Sequence, residues 1–370
     1  MNTFQHQIYN DLMALTLANE AFFFQDFVLE ENTYRIFNYR LASYTDFLSP
    51  SALECRGIMF EINMLGEAVR LASMPMHKFF NRNENPSTMD VDLSLIDTIS
   101  NKADGSLISS FLHDGEVRLK SKGSTNSDQA VAAMDWLRTS PKLKRAIYVF
   151  GLNNKTVNME WVSPENRIVL GYLEPKLIVL NVRDNTTGEY EQIDSDDLLH
   201  EYMDSEPDLK GMDKVTFVNQ IPDMLDDIEG YVVKLTSGLW MKIKTNKYLA
   251  LHHCKDSVNN PRRLWEVIVN EGIDDVRSLF FDDALLIKQI DEMQVKVDHV
   301  FNSMVKEVET FYNENKHLDR KEFAIKGQQE VSKLYFSLVM NLYLGKPNDY
   351  KNFLIKHYKN FGIKDEAKEE

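Results

Sequence analysis

Long apolar runs are missing from this sequence. No stretch approaches the roughly 20 consecutive apolar residues that a membrane span needs. The start, Met1-Asn2-Thr3-Phe4-Gln5-His6, has no basic leader ahead of an apolar run and does not read as a secretory signal. Cysteine is nearly absent. Cys55 and Cys254 are too few and too far apart for a disulfide framework, and a reducing, cytoplasmic compartment is the expectation. Cys-x-x-Cys spacings are absent, which argues against a structural zinc site. Internal repeats and low-complexity segments are missing as well. Positive charge is in deficit: 42 Lys and Arg face 57 Asp and Glu, a net charge of −15 over 370 residues. That excludes indiscriminate binding to polyanions.

The deficit is local. Residues 181–230 hold 15 acids against 3 Lys and Arg, whereas residues 241–370 hold 21 of each sign. A basic groove elsewhere in the chain is therefore compatible with the overall charge. The length suits two domains, at roughly 100–200 residues each. With 43% apolar and 11% aromatic residues, a sizeable core can form.

Phe4, Ile8, Leu12, Leu15 and Ala18 recur near helical spacing, which predicts a helix within 4–24. From about 33 to 180 the pattern reads as strand-rich. Asp114-Gly115 marks a hairpin within 107–122. Segment 167–183 reads as two buried strands broken near Glu174-Pro175, and 185–227 as surface loops and short helices. Segment 230–244 reads as a second hairpin turning at Ser237-Gly238. Beyond about 255 the period changes. Ile290, Met293, Val297, Phe301, Met304, Val308 and Phe311 mark one helix face. Residues 321–344 read as another helical run, with Gly345 and Pro347 as its stop. The expectation is an α+β fold: residues 1–254 form antiparallel sheets with flanking helices, and residues 255–370 form an all-helical domain.

Chemistry concentrates in short segments. Lys102-Ala103-Asp104-Gly105 is weak alone, because an Asp-Gly turn beside a solvated lysine is common. Arg56-Gly57-Ile58-Met59-Phe60 and Lys78-Phe79-Phe80-Asn81 precede it. Lys120-Ser121-Lys122-Gly123-Ser124, Glu160, Glu229-Gly230-Tyr231-Val232-Val233-Lys234 and Lys242-Ile243-Lys244-Thr245 follow. Lysine attacks only as the neutral amine, a form that is rare at pH 7 for an ordinary lysine, which titrates at about 10.4. Arg56, Lys78, Lys122, Lys242 and Lys244, once folded together, supply the positive potential that favours the neutral amine and would grip phosphates. Lys242 and Lys244 stand two apart on a predicted strand, so both point to one face. A solvated edge strand guarded by lysines is the common reading of such a pair, but Glu229-Gly230-Tyr231-Val232 just upstream on the paired strand argues against it here.

The ordered set resembles the motif series of the covalent nucleotidyltransferases, the ligases and capping enzymes. Tyr34-Arg35-Ile36-Phe37-Asn38-Tyr39, Glu54-Cys55-Arg56-Gly57-Ile58-Met59-Phe60-Glu61, Lys78-Phe79-Phe80-Asn81 and Asn166-Arg167-Ile168-Val169-Leu170 are similar to the RNA ligase 1 type of T-even-like bacteriophages. That resemblance runs over the whole chain. It implies an ATP-dependent RNA ligase acting in the cytoplasm (the host's, if phage-encoded). Lys102 would be the nucleophile that carries AMP. Tyr39, Arg56, Lys78, Lys122, Glu160, Lys242 and Lys244 would contact the nucleotide, with Lys242 and Lys244 also catalytic. Glu229 would serve metal-assisted activation of the lysine. ATP and Mg²⁺ are the implied cofactors. RNA bearing 5′-phosphate and 3′-hydroxyl ends is the implied partner, with nicked tRNA as the natural case and no obligate protein partner. Asp274, beside Asp275, matches an acid placed near a metal, and also reads as a helix N-terminal acid. Tyr248 matches a functionally important tyrosine, and like Tyr39 reads as well as core. Met159 and Trp161 flank Glu160 where other aromatics are usual. DNA ligases and capping enzymes share the lysine chemistry, but their last lysine motif usually leads into an OB-fold of short strands. A non-catalytic RNA-binding protein on the same scaffold would lack one of the reacting groups, and none is missing.

Overall fold

In the computed structural model, which describes residues 1–164, 172–252, 260–281 and 284–363, the first helix stops sooner than its periodicity suggests. Helix α1 spans Thr3–Ala18. A capping box starts it: the Asn2 side chain accepts from the Gln5 amide at 2.9 Å and the Gln5 side chain accepts from the Asn2 amide at 3.0 Å. The Asn19 side chain then accepts from the Ala21 amide at 2.9 Å, a local turn that competes with the helix. The aromatic run that follows is strand β1, Phe22–Leu29, not helix. It pairs residue for residue with β2, Asn32–Tyr39. β-Branched and aromatic residues fit a pleated, half-buried surface better than a helix.

Among the described residues, the first compact unit, Met1–His252, contains three sheets. β1 and β2 continue into β3, Met59–Ile62, and β4, Ala68–Ser73. The short β5, Phe80–Asn81, and β6, Ile96–Asn101, come next in the chain. β7, Ser106–His113, and β8, Glu116–Ser121, form the expected hairpin around Asp114-Gly115. Two helices interrupt the stretch expected to be strand-rich: α2, Asp128–Arg138, and α3, Pro141–Leu152. Ala130, Ala133, Leu137, Leu143 and Ile147 face the second sheet and pack in one buried cluster with Ile108, Val157 and Met159. Small alanines mark much of that buried face, so its apolar period is faint in the sequence.

β9, Lys155–Val162, β10, Lys176–Asp184, and β11, Tyr190–Glu191, complete the second sheet in the order β11-β10-β9-β7-β8. Of the two strands expected over 167–183, the second is β10, and residues 165–171 lie outside the described residues. So do Cys254, the expected domain boundary, and the Asn166–Leu170 motif. The acidic stretch holds the expected loops, turns of 3-10 helix and the short α4, Lys214–Gln220, but also β11, which the expectation of loops and helices did not include. β12, Gly230–Leu235, and β13, Trp240–Lys244, form the second expected hairpin within the sheet β5-β13-β12-β6. All strand pairs named here are antiparallel except the two-residue pairing of β5 with β13. Helix α5, Asn246–His252, follows.

The second unit, His253–Glu370, is helical among the described residues. Its longest helix spans Ala284–Asn315. Every position of the predicted face is buried except Met293, which is half-buried. The run expected over 321–344 is two helices, Arg320–Glu330 and Phe336–Tyr343. Between them the Ser332 amide donates to Glu307 Oε1 at 2.6 Å, a tertiary bond that takes the place of the helical one. No helix of the described residues is long and apolar enough to cross a membrane.

Candidate active site

Lys102 lies just past β6, and its amide donates to the Gly230 carbonyl at 3.0 Å. That bond sets the lysine beside the start of β12, where Glu229 precedes the strand. Lys102 Nζ donates to Glu229 Oε2 at 2.8 Å, and Lys244 Nζ lies 2.9 Å from the other carboxylate oxygen. The Glu229 side chain is 3% exposed. Burial pushes its pKa upward, but Lys102 and Lys244 outweigh burial and hold it below the usual carboxylate range. Alternation along β13 turns Trp240, Lys242 and Lys244 to one face, while Met241 and Ile243 are buried on the other.

Two glycines make this geometry possible. Gly230 has φ +149°, and a Cβ there would fall 2.0 Å from the Ile243 carbonyl oxygen. Gly105 passes so close to β9 that a Cβ would fall 2.3 Å from the Trp161 carbonyl oxygen and 3.0 Å from Glu160 Cγ. Glycine is thus required at both positions for backbone approach. The Gly105 crossing brings Glu160 to the same pocket as Lys102. Glu160 is half-buried, and its carboxyl is pushed up to about 7, chiefly by desolvation and further by Glu229, against the pull of Lys102 and Arg56.

A second cationic group gathers around Tyr39, at the end of β2. Lys122 Nζ sits 4.1 Å over the Tyr39 ring, and Lys78 Nζ lies 5.7 Å from the same ring and 4.9 Å from that of Phe80. The Asn38 side chain donates to the Lys122 carbonyl at 3.2 Å, which ties β2 to the segment after β8. Arg56 Nη1 donates to the Met76 carbonyl at 3.4 Å. The turn ahead of Arg56 is fixed by Glu54, which accepts two bonds from the buried Arg183, at 2.6 and 3.0 Å.

Two family models match the chain: one described as "RNA ligase" over residues 54–249, and one described as "T4 RNA ligase 1, C-terminal domain" over 255–365. The chain belongs to the RNA ligase family. A "Putative RNA ligase" of Thermovibrio ammonificans is 26% identical over 315 residues, covering 83% of this chain and 81% of that protein. "RNA ligase 1" of bacteriophage TS2126 is 29% identical over 211 residues, covering 54% of this chain and about half, 51%, of the phage protein. A solved structure, a "Putative ATP-dependent DNA ligase from Aquifex aeolicus", aligns with 92% of the chain at 13% identity and a TM-score of 0.45, too distant to bear on the reaction.

In this ligase the remaining expected residues fall as follows. Tyr248 is buried, its hydroxyl donates to Asp104 Oδ1 at 2.9 Å, and Lys244 Nζ lies 5.0 Å over its ring. It is therefore core and site neighbour at once, holding the aspartate of the Lys-x-Asp-Gly turn. Asp274 and Asp275 stand in the first turn of the short helix Ile273–Leu279 of the second unit. Sequence reasoning missed three features of the ligase. Lys120 is fully buried and donates to the carbonyls of Gly57, at 2.6 Å, and Ser121, at 3.0 Å. Arg183 anchors Glu54. His77, Phe79, Tyr190 and Trp240 form an aromatic cluster beside the cations. None carried a burial signal: Lys120 alternates with Val117 and Leu119, a pattern that reads as a solvent-facing lysine.

Proposed function

We propose that the chain joins a 5′-phosphate to a 3′-hydroxyl of RNA at the expense of ATP, through AMP carried on Lys102. The observation that carries this reading is the pair of lysines on one buried carboxylate: Lys102 and Lys244 each within 2.9 Å of Glu229. A buried carboxylate between two cations is stable as a resting arrangement, but an amine held in an ion pair is no nucleophile. ATP phosphates draw Lys244 away from Glu229, and the Glu229 oxygen that faces Lys102 Nζ takes the ammonium proton, leaving the Lys102 amine neutral. That amine then attacks the α-phosphorus, a P–N bond forms, and the bond to pyrophosphate breaks. The phosphate of an RNA 5′ end next displaces Lys102 from the AMP. A 3′-hydroxyl finally attacks the activated 5′-phosphate and expels AMP.

Arg56, Lys78, Lys122 and Lys242 are the groups to hold the phosphates and offset charge at the reacting phosphorus. Lys244 shares Glu229 with the nucleophile and takes the α-phosphate. Glu160 accepts from the ribose, and Tyr39 carries the two lysines that flank its ring. A bound divalent cation such as Mg²⁺ supplies neutralising charge for the phosphates, and the hard carboxylate of Glu229 fits one. Asp274, in the second unit, is a separate acid to test for metal binding. The helical second unit stands where DNA ligases and capping enzymes usually carry an OB-fold, which favours RNA over DNA ends. We assign it RNA selection, with cleaved tRNA anticodon loops as the natural substrate.

The test is attachment of label from ATP labelled at the α-phosphate, with labelled GTP in parallel and Mg²⁺ present. Label from ATP, absent in Lys102→Ala, is the expected result. Undiminished label in the variant overturns the choice of nucleophile, and label from GTP points to a capping enzyme.

A further inference from the structure

The aromatic cluster beside the cations is assembled from three separate places in the chain. Phe79 precedes β5, Tyr190 begins β11 and Trp240 begins β13. The Tyr190 and Trp240 rings lie 4.6 Å apart, tilted by 33°, and the Phe79 ring lies 5.8 Å from Trp240. His77 fixes the rear of the group: its Nδ1 is 2.7 Å from the Tyr190 hydroxyl and its ring is 5.6 Å from Trp240. All four residues are only half-buried, so the cluster keeps a surface toward solvent. Cations border it on two sides, with Arg56 6.0 Å from the Phe79 ring and Lys234 5.8 Å from that of Trp240.

The position follows from the strand. Trp240, Lys242 and Lys244 share one face, so Trp240 stands two residues beyond Lys242, about 7 Å further from the Lys102–Glu229–Lys244 group. The chemistry supplies the direction, resting on the lysyl-AMP reading above. In an in-line displacement the attacking and leaving atoms lie on opposite sides of phosphorus. When the RNA phosphate oxygen attacks lysyl-AMP, the P–O bond forms as the P–N bond to Lys102 breaks. The RNA phosphate must then enter from the side that pyrophosphate left, where the cations are. Its own nucleoside extends onward, away from Lys102, and along β13 the residue beyond Lys242 on the cationic face is Trp240.

We propose that Trp240, backed by Tyr190 and Phe79, is a stacking platform for the base of the 5′-terminal nucleotide of the RNA whose phosphate is being activated. Stacking on a π-face tolerates any base, so the platform recognises the presence of a base and not its identity. Arg56 and Lys234 add positive charge around the nucleotide's backbone.

The test isolates the second step. Enzyme is first charged with labelled AMP and freed of ATP. It is then mixed rapidly with a short 5′-phosphorylated RNA, either intact or abasic at the 5′-terminal nucleotide, and label passing from protein to RNA is timed. The wild-type enzyme is expected to act on the abasic RNA about 5- to 150-fold more slowly, the rate equivalent of one base–aromatic stack. In Trp240→Ala the two RNAs should react alike, at the rate of the wild type on abasic RNA. Trp240→Phe should restore most of the difference. Equal wild-type rates on the two RNAs overturn the platform without any variant having to fold, and so does a full abasic penalty in Trp240→Ala. Failure of the wild-type protein to take up AMP at all would instead remove the lysyl-AMP reading beneath it.

Discussion

Replacing Lys120 by Met should change the way stability depends on pH. Lys120 is fully buried and its amine faces two acceptors, the Gly57 and Ser121 carbonyls. A neutral amine has two N–H groups and matches them; an ammonium has a third donor, left over where both acceptors are uncharged carbonyls. Desolvation accordingly lowers the Lys120 pKa to about 7. In the unfolded chain the same lysine keeps a value near 10.5. The folded state therefore binds fewer protons between about pH 7 and pH 10.5. Stability must rise with pH across that window, and the cost of burying the charge is fully present below it. From pH 7 to pH 9 the gain works out at about 2 kcal/mol, at about 1.4 kcal/mol per unit once the folded amine is neutral. Lys120→Met is unbranched and one atom shorter, abolishes the titration and leaves two carbonyls without their donor, at about 1–3 kcal/mol throughout. The assay is urea unfolding of both proteins at pH 7, 8 and 9. Groups common to both cancel in the difference, which should widen by about 2 kcal/mol in favour of the wild type. Curves that stay parallel would refute the reasoning, because they would mean that Lys120 does not change its charge on folding in that range.

Other outcomes follow from the site. Tyr248→Phe removes the buried bond to Asp104 and should lower the unfolding free energy by about 1–3 kcal/mol, read from urea midpoints; it should also slow AMP attachment, since Asp104 orients the Lys102 turn. Glu160 is protonated below about pH 7 and ionised above it. ATP affinity in a non-reacting Lys102→Arg background, which keeps a cation beside Glu160, should therefore rise from pH 6 to pH 8 more steeply than in Lys102→Arg/Glu160→Gln, as measured by calorimetry, and equal slopes would exclude Glu160 as the ribose acceptor. A chain ending at His252 should keep AMP attachment better than it keeps RNA joining; equal loss of both in a folded truncation would contradict the division of labour between the units.

Much of the site was legible because its residues ride on locally coded elements. The hairpin carrying Lys242 and Lys244 follows from alternation and a Ser-Gly turn, and the structure pairs Gly230 with Lys244 across it. Asp114-Gly115 marks its hairpin for the same reason. The end of α1 was not legible, because the Asn19 turn overrides a continuing apolar pattern. Helices α2 and α3 were hidden by alanines at buried positions. The break between Glu330 and Phe336 has neither Gly nor Pro and depends on Glu307, distant in sequence. Lys120 and Arg183 show the general limit. A buried charge looks like a surface charge until the carbonyls or carboxylate that receive it are brought from elsewhere in the chain.

The ion pair between Lys102 and Glu229 spans 127 positions, and that between Arg183 and Glu54 spans 129. A chain emerging from the ribosome thus displays Lys102 long before Glu229 and the two strand lysines exist to join it. Until β13 has been made and paired, no partial chain holds the full set of cations assigned above to the triphosphate. Capture of ATP is in this way a report that the first unit has finished folding, and it stabilises only chains that have reached that point.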